Sequence, residues 1–225
     1  MKRLLPLLVF VSTSISAYSQ VSLSAGMGML NGVGTQIKSM GFHLGLEIPR
    51  SSDLTLFVRL SGFLPKGDST SAFANMTANN VTTQPSTLTV PYKIKSNTFY
   101  IQGGTRSYML NDYDNGFSLY GGSVMGIGMN KTWAEFSEYD YSGQYKWEGL
   151  YSLPNNNPTR GNLIYLDIGI QGGMKYTIPI KGTFYFDVTG AYTVLGVPSN
   201  TAAPSSPTYS RLNFLMELGY RRDLY

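Results

Sequence analysis

One histidine and six charged side chains are the groups in this chain with reactive potential. His43 is the sole histidine. A Ser-His-Asp hydrolase would need it beside a serine and a carboxylate, yet Phe42-His43-Leu44-Gly45 has no nearby serine on the same face of an extended chain. It reads as an interior polar group, not a general base. Glu47, Arg59, Arg106, Asp187, Glu217 and Arg221 are three carboxylates and three guanidiniums. Each falls on the polar side of an alternating segment, so all six are expected to face one interior. An unpaired charge there would cost roughly several kcal/mol, so they should find one another. Bidentate guanidinium–carboxylate pairing would lock strands together and plug the space between them. The expected role is structural, with no catalytic residue. The absence of Cys excludes disulfides and thiolate ligands. With a single His and dispersed carboxylates, no metal site and no cofactor are expected.

Alternation is what would position these groups. In residues 160–176, Ile164, Leu166, Ile168, Ile170 and Met174 share one parity, and Tyr165, Asp167, Gln171 and Lys175 the other. A strand turns successive side chains to opposite faces, so one face is apolar and the other polar. Eight such segments follow one another: 21–29, 40–48, 54–64, 92–109, 117–131, 160–176, 183–195 and 210–225. The connections alternate in length. Those at Pro49–Asp53, Asn111–Gly116 and Thr177–Gly182 are short, whereas Pro65–Pro91, Thr132–Gly161 and Gly196–Tyr209 are long and polar. Short periplasmic turns and longer extracellular loops are the habit of outer-membrane barrels. The expected fold is therefore all-β, an eight-stranded antiparallel up-and-down transmembrane β-barrel with both termini periplasmic.

The N-terminus agrees with that destination. Met1-Lys2-Arg3 is basic, Leu4–Val11 is apolar, and Ala17-Tyr18-Ser19 fits a small-x-small cleavage site. Residues 1–19 read as a signal peptide and 20–225 as one barrel domain. After Val11 no stretch approaches the ~20 apolar residues of a membrane helix, and a closed barrel is the other way to satisfy backbone groups in lipid. Charged residues make up 13% of the chain, against roughly 25% in soluble domains. There is no basic stripe, so nucleic acid is not an expected partner.

A secreted soluble barrel would bury the same apolar face inside. Lipid outside is favoured because the polar faces carry Gly, Ser, Thr and Tyr with few Lys or Glu, unlike a surface facing water. Aromatics on the apolar parity, Phe117, Tyr176, Phe184 and Tyr220, also sit at the short-turn ends, where an interfacial girdle belongs. Inward Phe57, Tyr100, Tyr108, Tyr120, Tyr165 and Tyr185 would fill an eight-stranded lumen, so no open pore is expected. Trp133, Tyr139, Tyr141, Tyr145 and Trp147 crowd one long loop. They could stack on glycans, or they could extend the flanking strands above the membrane, an ordinary place for such rings.

The C-terminal Leu218-Gly219-Tyr220-Arg221 and terminal Tyr225 resemble the closing strand of small outer-membrane barrels, whose terminal aromatic is read by the barrel assembly machinery. The whole of 20–225 resembles the OmpA/OmpX-like outer-membrane β-barrel proteins, especially those of Bacteroidetes. Arg222 departs from the pattern, falling on the apolar parity between Tyr220 and Leu224. The resemblance implies the outer membrane of a Gram-negative bacterium, lipid as the surrounding partner, and a structural or surface-interaction role. A place in a larger outer-membrane protein complex, such as a PorT-like part of a type IX secretion apparatus, is a second expectation. A lipid A-modifying enzyme is a third. Asp68-Ser69-Thr70 resembles the O-glycosylation sequon of Bacteroidetes.

Overall fold

A computed structural model describes residues 21–33, 38–67, 72–136, 144–147, 160–198 and 210–224. The expected signal peptide and Asp68-Ser69-Thr70 lie outside these residues. The strands are β1 (Val21–Gly32), β2 (Lys38–Pro49), β3 (Leu54–Gly67), β4 (Ala72–Ala78), β5 (Thr87–Tyr108), β6 (Gly116–Phe136), β7 (Tyr145–Trp147), β8 (Arg160–Ile178), β9 (Gly182–Pro198) and β10 (Leu212–Leu224). Among the described residues, eight of them hydrogen-bond antiparallel in the order β3-β2-β1-β10-β9-β8-β6-β5, and β3–β5 pairing closes the ring. Closure leaves no edge within the barrel, so every strand in the ring satisfies its backbone groups on both sides.

Two expected loops contain strands. Within Pro65–Pro91, β3 runs on to Gly67, β4 pairs with the start of β5, and β5 begins at Thr87. Within Thr132–Gly161, β6 continues to Phe136, and β7 pairs with β4. β5 and β6 have 22 and 21 residues, whereas crossing a bilayer takes roughly 9–11. Their far halves therefore stand beyond the lipid.

The packing is inverted. Phe42, Leu44, Val58, Met125, Ile170 and Leu218 are exposed on the outer wall, Ile170 at 74%, while the lumen holds the polar and charged groups. The expected faces hold along the strands, with four apolar additions and one exception. Phe63, Val124, Ala191 and Leu215 point inward, each at 5% exposure or less. Arg211, expected inward, is exposed just before β10, at the rim where the lumen wall has ended.

The lumen is filled by a pairing of large with absent side chains. Tyr165, Tyr120 and Tyr185 lie directly opposite Gly128, Gly173 and Gly219 on the neighbouring strands, and the Tyr100 ring lies over Gly126. A Cβ at any of these four glycines would run into the ring above it. The many Gly and Tyr residues thus serve one packing scheme, in which an aromatic ring covers the backbone of an adjacent glycine.

Candidate functional site

All six charges expected to point inward do so, each at 2% exposure or less. They form a single alternating chain of acid and base. Glu217 bonds Arg59, and Arg59 Nη2 lies 2.8 Å from Asp187 Oδ2. The same Oδ2 takes Arg106 Nη2 at 2.5 Å, and Arg106 Nη1 donates to Glu47 Oε2 at 2.6 Å. Arg221 Nη1 ends the series 3.3 Å from that Glu47 oxygen. No link joins neighbouring strands of the ring, so the chain braces opposite walls. Neutral donors complete the carboxylates: Thr55 and Tyr108 bond Glu47 at 2.6 and 2.7 Å, Gln102 bonds Glu217 at 3.0 Å, and Tyr120 donates to Asp187. The guanidiniums are also sandwiched by rings. Arg106 lies 4.5 Å from the Phe57 ring and 5.0 Å from that of Tyr120, and Arg59 lies 5.3 Å from Tyr185.

The partners differ from a reading of the hairpins alone. The hairpin around Pro49 suggests Arg59 near opposite His43, but the register sets it opposite Gly45, with Ser61 facing His43. The pairing of the last two strands suggests that Arg221 shares a site with Asp187. It stands opposite Thr183 instead, four places along β9, and reaches Glu47. The stagger of strands around the ring decides these heights, and it cannot be seen in any one hairpin.

Ser61 is the inward serine near His43 that local sequence does not reveal, because it arrives from the next strand. His43, Ser61 and Glu217 nevertheless fail as a triad. His43 Nε2 bonds the Tyr185 hydroxyl at 2.7 Å, while Ser61 Oγ donates to Glu217 at 3.4 Å. His43 and Ser61 are 2% and 1% exposed, so neither offers a surface to a substrate. His43 Nδ1 lies 3.3 Å from Glu217 Oε1 and extends the charge chain by one polar group.

The short-turn end is closed by two residues that sequence reading does not single out as a site. Lys175 donates to the carbonyls of Asp112 and Asn115 at 2.7 and 2.8 Å and to Thr177 Oγ1 at 3.1 Å, so all three of its protons are used. That bonding holds the β5–β6 turn over the mouth of the lumen. From this turn Tyr113 folds back inside, its ring 3.9 Å from the Arg221 guanidinium and its hydroxyl 3.3 Å from Asp223. Its backbone N–H bonds the Ser52 carbonyl of the neighbouring turn at 2.8 Å. A tyrosine within a polar turn looks like an exposed loop residue, and only the folded turn shows otherwise.

Of the aromatics expected at the surface, Trp133 belongs to β6 and is partly buried, opposite Lys95 and Arg160. Tyr145 and Trp147 begin and end β7, where Tyr145 pairs with Ala78 and Trp147 with Met76. Tyr139 and Tyr141 lie outside the described residues.

An apolar outer wall, a closed strand ring and a charged but internally paired lumen define a transmembrane β-barrel packed with side chains. No protein-family model matches the chain, and no curated protein does. Among the solved structures to which it is similar are three of outer-membrane or surface proteins. Ail, the attachment invasion locus protein of Yersinia pestis, is 15% identical, with 90% of this chain and 98% of that one covered, at a TM-score of 0.45. Those values belong to its complex with the heparin analogue sucrose octasulfate. Neisserial surface protein A is 10% identical over 90% and 94% of the two chains at 0.41. A major outer membrane protein from Thermus thermophilus is 10% identical over 91% and 98% at 0.47.

Proposed function

We propose that this protein is a non-conducting outer-membrane anchor that carries a β-structured surface beyond the lipid. The supporting observation is that strand pairing continues outward through β4, β5, β6 and β7 while the lumen beneath is occupied by paired side chains. Tyr113 and Lys175 at one end and the Phe63, Tyr100, Tyr165 and Leu215 cluster toward the other leave the braced interior no role in transport. The short turns and both termini then face the periplasm of a Gram-negative cell, and the barrel assembly machinery recognises β10. Binding, where it occurs, falls to the outward extension, which includes Trp133, Tyr145 and Trp147.

Planar-bilayer recording tests the closed lumen. The folded barrel should add no stepwise conductance, and reproducible channel openings would overturn the reading. Recovery of the protein as a detergent-free soluble monomer would instead overturn the membrane placement.

A further inference from the structure

We infer that the β8–β9 turn is a lipid-inserting anchor, which seats one side of the barrel's short-turn end in the head-group layer. The inference rests on the membrane reading above. Lys181 N–H bonds the Ile178 carbonyl at 3.0 Å, enclosing Pro179 and Ile180. Ile180 has φ of +70°. Proline cannot take a positive φ, so this is a type II turn, whose third residue is ordinarily Gly or Asn. A β-branched residue there is a backbone outlier. Ile180 is also 93% exposed, so no contact among the described residues offsets the strain. In water such a side chain would be unfavourable in both its backbone and its surface. Burial in an apolar medium outside the protein removes the second cost and opposes the first.

The surroundings identify that medium as lipid. Phe117, Tyr176, Phe184 and Tyr220 form one row of directly paired residues across β6, β8, β9 and β10, on the outer wall beside this turn. Tyr220 also donates its hydroxyl to the Lys181 carbonyl, tying the turn to the row, and Gly182 has no Cβ to obstruct that hydroxyl. Tyrosine and tryptophan rings settle at head-group depth, so Pro179 and Ile180 continue the lipid-facing belt past its rim. Lys181 and Arg222 are nearby, on the turn and on β10, and suit lipid phosphates. The other turns at this end differ. The β2–β3 turn exposes Arg50, Ser51, Ser52 and Asp53, and the β5–β6 turn, which leads into Phe117, exposes Asp112 and Asp114 together with Met109 and Leu110. The apolar, cationic turn lies within the aromatic row, the mixed β5–β6 turn at the row's β6 end, and the polar β2–β3 turn away from it. Lipid fits the side that carries the β8–β9 turn.

The chain has no cysteine, so single substitutions can be labelled uniquely. Ile180→Cys, Ser52→Cys and Met174→Cys would each carry a nitrobenzoxadiazole probe, with folding checked by heat-modifiability on gels. The proteins would be reconstituted in vesicles of phosphatidylethanolamine and phosphatidylglycerol. Emission at position 180 should be blue-shifted and quenched by a nitroxide held at shallow depth in the bilayer, as at outward-facing position 174, while position 52 stays red and unquenched. Position 180 behaving like position 52, with 174 in lipid, overturns the anchor and leaves the barrel in its membrane. An aqueous signal at 174 overturns the membrane reading, and the anchor with it.

Discussion

Arg59 on β3 and Asp187 on β9 face each other across the full width of the barrel, four strands apart in either direction around the ring, with Nη2 and Oδ2 2.8 Å apart. A bond of that kind spans the lumen and holds two opposite walls at one separation. In an interior screened from water, it is also a contact whose loss leaves charge uncompensated on both sides.

Arg59→Ala should therefore lower stability by about 3 kcal/mol or more, since it strips Glu217 of its guanidinium and leaves Asp187 with Arg106 alone. Membrane insertion should persist, because the outer wall is unchanged. The midpoint of the gel mobility shift on heating, or of urea unfolding in detergent, measures this. An unchanged midpoint would remove the bracing role from the charge chain.

Lys175→Met keeps the bulk of the side chain and deletes three donated hydrogen bonds. The Asp112 and Asn115 carbonyls then lose their buried partner, at about 1–3 kcal/mol. The effect should be local, so limited proteolysis should cut within Asn111–Gly116 well before it cuts elsewhere. Cleavage at the parental rate would show that the turn holds itself.

Gly128→Ala places a methyl group against the Tyr165 ring. Overpacking of this sort costs about 1–3 kcal/mol, and Tyr165→Ala on its own should also destabilise by emptying part of the lumen. The double variant should be more stable than the sum of the two losses predicts, because each change relieves the other. Additive losses would mean that the ring does not rest on this glycine.

Single cysteines placed in 65–91 or 132–161 should react with an impermeant maleimide on intact cells, and cysteines at Ser51 or Asp114 should react only after the outer membrane is opened. The reverse pattern would invert the barrel in the membrane.

Much of this molecule is legible from residue types alone. Parity along the strands assigns Arg59, Arg106 and Glu217 to one face and Val58, Ile101 and Leu218 to the other, because a side-chain period of two leaves no intermediate direction. The pairing of the extension beyond the membrane is not legible. Leu88, Val90, Tyr92 and Ile94 alternate with Thr87, Thr89 and Lys93, but that pattern does not say that Thr87–Tyr92 pair with β4 or that Tyr92–Ser96 pair with Thr132–Phe136. Tyr113 is equally hidden, since nothing local to a polar turn says that its ring will fold back onto Arg221.

The order of residues alone settles that six charges and the large inward rings share one interior. Which charges meet is settled by the closed ring. Arg221 pairs with Glu47 and not with Asp187, and His43 faces Ser61. Parity fixes only the direction in which a side chain points. Its height in the lumen follows from the stagger accumulated as eight strands close on one another, a property of the ring that no single strand encodes.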